Sequence, residues 1–250
     1  MTIERKVGMG IAGQPSGGAA DVAEVFSTYL YTGTGATRTI TNGIDLAGEG
    51  GLVWIKGRNQ VYSHQIFDTE RGATQRLEAD GTGGQVAKTN SLTSFNSNGF
   101  SLGSENDVNS GNPYDFASFT FRKKSGFFDC VTWTGNGVHG RAIAHGLNGP
   151  VGMIIIKRTD AVGYWATTHK NSAPLTLNTS LEDNNTASVQ NGYAPPGSLS
   201  ETTFTLYHYN SNLDAVNASG GTYVAYLFAD NSSEDAEEQM IKCGSYTGNG

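Results

Sequence analysis

Three carboxylates lie close together in the sequence, Asp68, Glu70 and Glu78, with Arg71 among them. A glycosidase needs two such groups across a cleft, about 5–10 Å apart, one to protonate the leaving oxygen and one to attack or to activate water. When the chain is aligned with itself, His169 falls opposite Asp68 and Asn178 opposite Glu78, so the set is not repeated. Arg71 has two readings, a clamp for a carboxylate or phosphate ligand and a surface ion pair with Glu70 or Asp68; the second is the simpler expectation. Two acidic loops, Glu105 to Asn109 and Glu182 to Asn185, offer the oxygen donors that Ca²⁺ takes, but neither follows the EF-hand spacing. Solvated polar loops account for both. The five histidines, His64, His139, His145, His169 and His208, show no ligand spacing, and the chain has no GxSxG, HExxH, P-loop or paired CxxC motif. Gly8, Gly10 and Gly13 match GxGxxG, but no long helix or second parallel strand follows, as a dinucleotide site requires. The expectation is a protein with no catalytic residue, no metal site and no cofactor.

Sugar recognition is the chemistry that the residue types support best. It uses an aromatic face for the apolar side of the ring, with amides, carboxylates and Arg for the hydroxyls. Loop-like stretches supply Tyr62, Tyr114, Tyr164, Trp165, Tyr193, Tyr207 and Tyr209 amid Asn, Ser and Asp. The candidate ligand-binding set is Tyr164, Trp165, Tyr193, Tyr207 and Tyr209. The segment from Tyr207 to Gly221 reads as an adaptable recognition loop, because tyrosines add contact area at little entropic cost. Trp54, Trp133, Phe119, Phe121, Tyr226 and Phe228 fall in strand patterns and read as core or rim.

The elements that must position these residues come from a repeat. Residues 31–58 read YTGTGATRTITNGIDLAGEGGLVWIKGR, residues 133–158 read WTGNGVHGRAIAHGLNGPVGMIIIKR, and residues 246–250 read YTGNG. Thr134 lies 102 residues after Thr32, and Thr247 lies 113 after Thr134. Each unit carries seven or eight short runs of Val, Ile, Phe, Tyr and Leu with period-two patterning, separated by Gly and Asn turns. The prediction is an all-β chain: two tandem antiparallel β-sandwiches of jelly-roll or lectin-like type, with an N-terminal arm over 1–24, repeats over 25–126 and 127–240, and 241–250 as the first strand of a third repeat or a closing strand. The run VGMIIIK suits a central strand covered on both sides. Glu234 to Met240 is the best helix candidate. Whether the two units stack side by side or end to end stays open. The start of a third copy suggests a piece of a longer polypeptide.

Charge and cysteine use narrow the function classes. The 34 glycines, about twice the usual share, sit beside Asn, Ser, Thr and Asp, which is turn chemistry. The formal charge is −7 and basic residues are scattered, so no basic face exists to neutralise phosphates, and nucleic-acid binding is not expected. No apolar run has membrane-spanning or signal-peptide length, so folding in a cytosol without membrane insertion is expected. Cys130 and Cys243 occupy the same place in successive copies, where Thr28 stands in the first. Equivalent positions in separate units rarely come within bridging distance, so unpaired strand residues are expected.

The phrases TYLYTGTG, ITNGIDLAGEGGLVWIK, FDTERG, SLTSFNSNGFSLGS and ASFTFRK, with YTGNG, GMIIIKR and GTYVAYLFA in the second copy, resemble a β-repeat family found in structural proteins of marine tailed phages, especially cyanophages. The resemblance spans about Val25 to Gly250. It implies a virion protein of a tail fibre or other appendage, assembled in the host cytoplasm beside other virion proteins, with host-surface glycan attachment as the end use. A symmetric homo-oligomer, a trimer by analogy, goes with that implication. A capsid or neck decoration protein, or a depolymerase of surface polysaccharide, are the alternatives.

Overall fold

The computed structural model describes residues 21–170, 175–177, 199–206, 216–230, 240–244 and 246–247. The first copy lays down β1 (Phe26–Thr32), β2 (Arg38–Thr41), β3 (Gly51–Gly57), β4 (Gln65–Asp68), β5 (Gln75–Glu78), β6 (Val86–Ala87), β7 (Leu92–Asn96), β8 (Gly99–Leu102) and β9 (Asp115–Arg122). The second lays down β10 (Phe128–Thr134), β11 (Arg141–Ala144), β12 (Val151–Arg158), β13 (Trp165–His169), β14 (Leu175–Thr176), β15 (Thr203–Leu206) and β16 (Thr222–Ala229). Among the described residues there are three helical turns, α1 (Val22–Val25), α2 (Leu46–Glu49) and α3 (Asn106–Asn109), all in the first copy. The chain is an all-β sandwich protein, as its patterning predicts.

Each copy builds a large sheet and a small one with the same strand order. The first copy's large sheet runs β1-β9-β3-β4-β5-β6, and the second copy's runs β10-β16-β12-β13-β14. The small sheets are β2-β8-β7 and β11-β15. All pairings are antiparallel. The copies meet at a tight turn rather than a linker: Lys124 and Phe128 form a bridge, with N–H···O distances of 2.9 and 3.1 Å.

Alternation along the strands sorts the apolar residues into three layers. In β3, Val53 and Ile55 face the first copy's own core with Tyr31, Phe67, Phe100 and Phe116. In β12, Ile154 and Ile156 face the second copy's own core with Trp133, Phe204 and Leu227. The opposite faces of the two large sheets pack on each other: Leu52, Ile66 and Leu77 meet Cys130, Ile155, Tyr226 and Phe228 in a third core. The two sandwiches therefore stack face to face, and both large sheets are inner layers. That placement explains why β3, β12 and β16 read as continuous apolar runs instead of alternating ones. At one end of the shared layer Phe121 packs against Phe26, Phe128 and Phe228 with ring centroids 4.8 to 5.5 Å apart.

The repeated TGxG phrase also has a cause. Gly33 N–H donates to Tyr114 O and Gly35 N–H to Asn109 O; Gly135 and Gly137 do the same to Gly221 O and Asn217 O. A Cβ on Gly33 would sit 1.8 Å from Ser110 O, and one on Gly135 would sit 2.0 Å from Ala218 O, so only glycine permits this approach. Buried Asn109 and Asn217 cross-tie the turns: Asn109 Nδ2 donates to Ala36 O and Gly103 O, and Asn217 Nδ2 donates to Val138 O and Asn136 Oδ1. Tyr31 Oη donates to Val108 O and Trp133 Nε1 to Val216 O, closing each latch onto the core. The acidic loop from Glu105 to Asn109 is thus helix α3 and its buried anchor, with Asp107 paired to Arg76 and Glu105 to Lys88. Among the described residues no cluster of acidic, His or Cys groups could hold a metal, and no helix is long and apolar enough to cross a membrane.

Both cysteines are free thiols. Cys130 lies in the shared layer. Cys243 sits against β12, where a Cβ on Gly152 would meet its Sγ at 2.5 Å, and its N–H donates to Asp230. Residues 1–20 of the predicted arm and most of the predicted helix from Glu234 to Met240 lie outside the described residues.

Candidate functional site

The chemistry-bearing residues of this chain gather at the seam between the copies. Asp68 ends β4, and its side chain points into the shared layer, where it is fully buried. The turn after β4 brings Arg71 back onto it: Arg71 Nε donates to Asp68 Oδ2 at 2.6 Å and Arg71 N–H to Oδ1 at 2.8 Å. Arg71 Nη1 donates to Gln75 O and Nη2 to Ile66 O and Tyr226 Oη, while Tyr226 Oη donates to Asp68 Oδ2 at 2.6 Å. A tyrosine of the second copy thus completes an ion pair of the first. Burial opposes the Arg71 charge, but Asp68 beside it holds its pKa above the usual value. Burial, with Asp68 adding to it, drives the Tyr226 hydroxyl well above the usual phenol range, and burial does the same to the Cys130 thiol.

This corrects the sequence expectation for Arg71. It pairs with Asp68, but inside the molecule and not on the surface. A buried pair adds little net stability, yet removing one partner leaves an uncompensated charge, so the three groups are costly to break apart once the copies have docked.

Two more groups of the second copy cross the layer. The buried Lys157 ammonium donates to Thr82 O at 3.1 Å and Arg158 O at 2.9 Å. Burial, with the Arg158 charge behind it, pushes its pKa down to about 8. Trp165 Nε1 donates to Glu78 O and Gly81 O, both at 3.0 Å. Trp165 is fully buried on β13, which corrects its reading as a loop aromatic open to a ligand: the indole is part of the seam. The neighbouring Tyr164 is exposed, in the turn before β13. Tyr193, Tyr207 and Tyr209 lie outside the described residues. At the far end of the predicted recognition loop, Val216 and Asn217 are buried anchors of the second latch. Tyr62 and Tyr114 pack against the first copy's core.

Beyond the polar set, the shared layer opens into a cleft of about 400 Å³. The first copy contributes Arg71 and Gln85; the second contributes Thr132, Thr134, Thr159 and Thr222. Trp133 and Tyr223 border it from below, their rings stacked with centroids 5.4 Å apart and turned into the second copy's own core. Thr134 and Thr222 face each other across β10 and β16, and Thr222 Oγ1 lies 2.6 Å from Thr159 Oγ1. Gln85 N–H donates to Thr159 O at 2.7 Å and Gly163 N–H to Thr82 O at 2.9 Å, strapping one copy to the other beside the opening. The side chains of Gln85, Thr132 and Thr134 are exposed and take no hydrogen bond from the described residues. Sequence reasoning passed over all five cleft residues other than Arg71. The available signal was a threonine at the last position of β10, at the first position of β16 and just past β12, where the apolar pattern facing the shared layer stops.

The carboxylates considered for hydrolysis are each committed elsewhere. Asp68 is locked to Arg71, Glu70 pairs with Lys123 at 2.7 Å, and Glu78 pairs with Arg76 at 2.9 Å. Among the described residues no carboxylate lines the cleft.

No curated protein and no solved structure matches the chain. One family model matches residues 21–250, nearly the whole chain, and the protein belongs to that family, a domain of unknown function (DUF7483).

Proposed function

We propose that this protein is a structural component of a phage virion, part of a tail fibre or appendage, and that it contributes to attachment at a host-surface glycan. The reading starts from the repeated phrases and their resemblance to phage appendage repeats. The observation that carries it is the third core between the copies. Two sandwiches joined by a buried apolar layer, by the Tyr226–Asp68 hydrogen bond and by a strap of two backbone hydrogen bonds form one stiff block, with no linker to bend at. A stiff tandem block suits a part that transmits load and holds a binding face at a distance. Other virion proteins and further copies of this chain are its proposed partners.

A second reading, a capsid or neck decoration protein, is favoured by one feature. The outer face of the first large sheet is not fully covered, and Leu30 (57% exposed) and Phe119 (36% exposed) stand beside the shared layer. Such a strip suits a protein contact better than a sugar. Immunogold labelling of purified virions with antibody to this protein tests both readings. Label on the tail appendages supports the first and label on the capsid or neck supports the second. Unlabelled virions, with the protein absent from them by mass spectrometry, overturn both.

A further inference from the structure

We propose that the cleft at the open end of the inter-copy layer is a binding site for a neutral saccharide. The inference rests on the attachment reading and gives it a location different from the tyrosine-rich loop.

The cleft holds hydrogen-bonding groups that the fold does not use. Gln85 offers an amide, and Thr132 and Thr134 offer hydroxyls, none of them engaged by the described residues. Arg71 has five N–H groups. Four are matched, to Asp68, Gln75 O, Ile66 O and Tyr226 Oη, which leaves one N–H of Nη1 without an acceptor among the described residues, in a side chain only 4% exposed. A buried donor of this kind carries a cost unless something accepts from it. The Thr159 and Thr222 hydroxyls, bonded to each other, still present lone pairs.

Charge selects the ligand class. Among the described residues the one cation in the lining is compensated by Asp68 and no carboxylate faces the opening, and the chain carries −7 overall. An anion finds no net positive site and a cation finds no counter-ion. A neutral ligand with several hydroxyls matches an array of hydroxyl, amide and guanidinium groups, each able to bond an O–H. The Trp133 and Tyr223 rings lie beneath the threonine floor, turned into the second copy's own core, so the recognition is by hydrogen-bonding groups and not by an aromatic face. The volume lies within the ~300–1,000 Å³ of small-ligand sites. The site also depends on the duplication. Its walls come from both copies, and the first copy has Leu30 where the second has Thr132, and Arg58 where the second has Thr159.

The test uses the full chain and a panel of glucose, galactose, mannose, N-acetylglucosamine and their di- and trisaccharides, read by saturation-transfer NMR and calorimetry. Glucuronate and inorganic phosphate are the charged controls. The expected result is saturable binding of at least one neutral sugar, weakened about tenfold or more by Thr132→Trp or Thr134→Trp, which fill the cleft from exposed positions. Gln85→Ala, on an exposed loop, is the milder variant should a Trp variant not fold, and it is expected to weaken binding several-fold at unchanged melting temperature. No sugar binding, binding indifferent to all three substitutions, or tighter binding of phosphate or glucuronate than of any neutral sugar would each overturn the proposal. Host-cell binding by the same proteins separates the two readings. Cells that bind wild type and the filled variants equally sink the cleft but keep attachment. Cells that bind neither, beside a sugar that titrates the cleft, sink attachment but keep the cleft.

Discussion

Tyr226→Phe removes one oxygen from the seam and nothing else. The ring stays packed in the shared layer; what is lost is the 2.6 Å bond to Asp68 Oδ2 and the longer, 3.3 Å contact from Arg71. A hydrogen bond to a charged group contributes about 1.5–3 kcal/mol. Asp68 keeps the Arg71 Nε and backbone N–H donors, so its charge is not orphaned, and the cost stays below the ~3–5 kcal/mol of breaking a buried pair outright. The expected loss is about 2 kcal/mol, roughly thirtyfold in the unfolding equilibrium. At this chain length that lowers Tm by about 4–8 °C. Tyr31→Phe is the control, because its hydroxyl bonds a neutral carbonyl within the first copy, Val108 O, for about 1 kcal/mol. Urea unfolding of the full chain at pH 7, followed by tryptophan fluorescence, measures both, and the shared core predicts one transition. A double-mutant cycle with Asp68→Asn isolates the pair, with an expected coupling of about 1–2 kcal/mol. If Tyr226→Phe stays within about 0.5 kcal/mol of wild type, or costs the same in the Asp68→Asn background, the argument that this hydroxyl locks the copies together fails.

Gly135→Ala must push its Cβ away from Ala218 O, 2.0 Å off, and is expected to cost about 1–3 kcal/mol in the same assay, while Gly83→Ala, with open space around it, stays within about 0.5 kcal/mol; equal effects would mean the latch is not tight. The Lys157 pKa is depressed to about 8, so between pH 8 and the ordinary lysine pKa the unfolded chain binds the extra proton and stability rises with pH. Urea midpoints of wild type should therefore gain on those of Lys157→Met as pH goes from 8 to 10, and a constant difference would show that the ammonium is not desolvated. Thiol labelling without reductant should find two thiols per chain after denaturation; in the native state Cys243, half-buried, should react first, and Cys130 only as fast as the chain opens. Early labelling of Cys130 would mean that the shared layer is not closed.

The fold was legible because duplication and period-two alternation are written in side chains that face a core. Arg38 and Arg141 align in the sequence, and in the structure both donate from Nη1 to the carbonyl of the threonine that opens the phrase, Thr32 or Thr134, at 2.6 Å. The continuous run of β12 announced a strand covered on both faces, and it is one. What covers the second face was not legible, because a repeat gives the sandwich and not the way two sandwiches stack. The same gap misplaced Trp165. In the repeat frame it matches His64, which stands at the partly covered margin of the first sheet, and only the stacking turns that position into the interior. Arg71 suffered likewise, since an Asp-x-x-Arg turn on one copy reads as surface until another sheet is laid over it. Of the cleft only the threonines at the strand ends were visible, because its two walls are far apart in sequence and nothing in those residue types says that they meet.

The copies stack through equivalent faces. Leu52 and Met153, Phe121 and Phe228, Phe26 and Phe128 occupy matching places in the two sheets, and all six border the shared layer. A contact made by like faces is pseudo-isologous: once two units have closed on each other, neither offers that face to a third. The architecture is therefore a dimer written within one polypeptide. An array of such units would grow two sandwiches at a time, joined by surfaces of a different kind, and the pair is its smallest mechanical element.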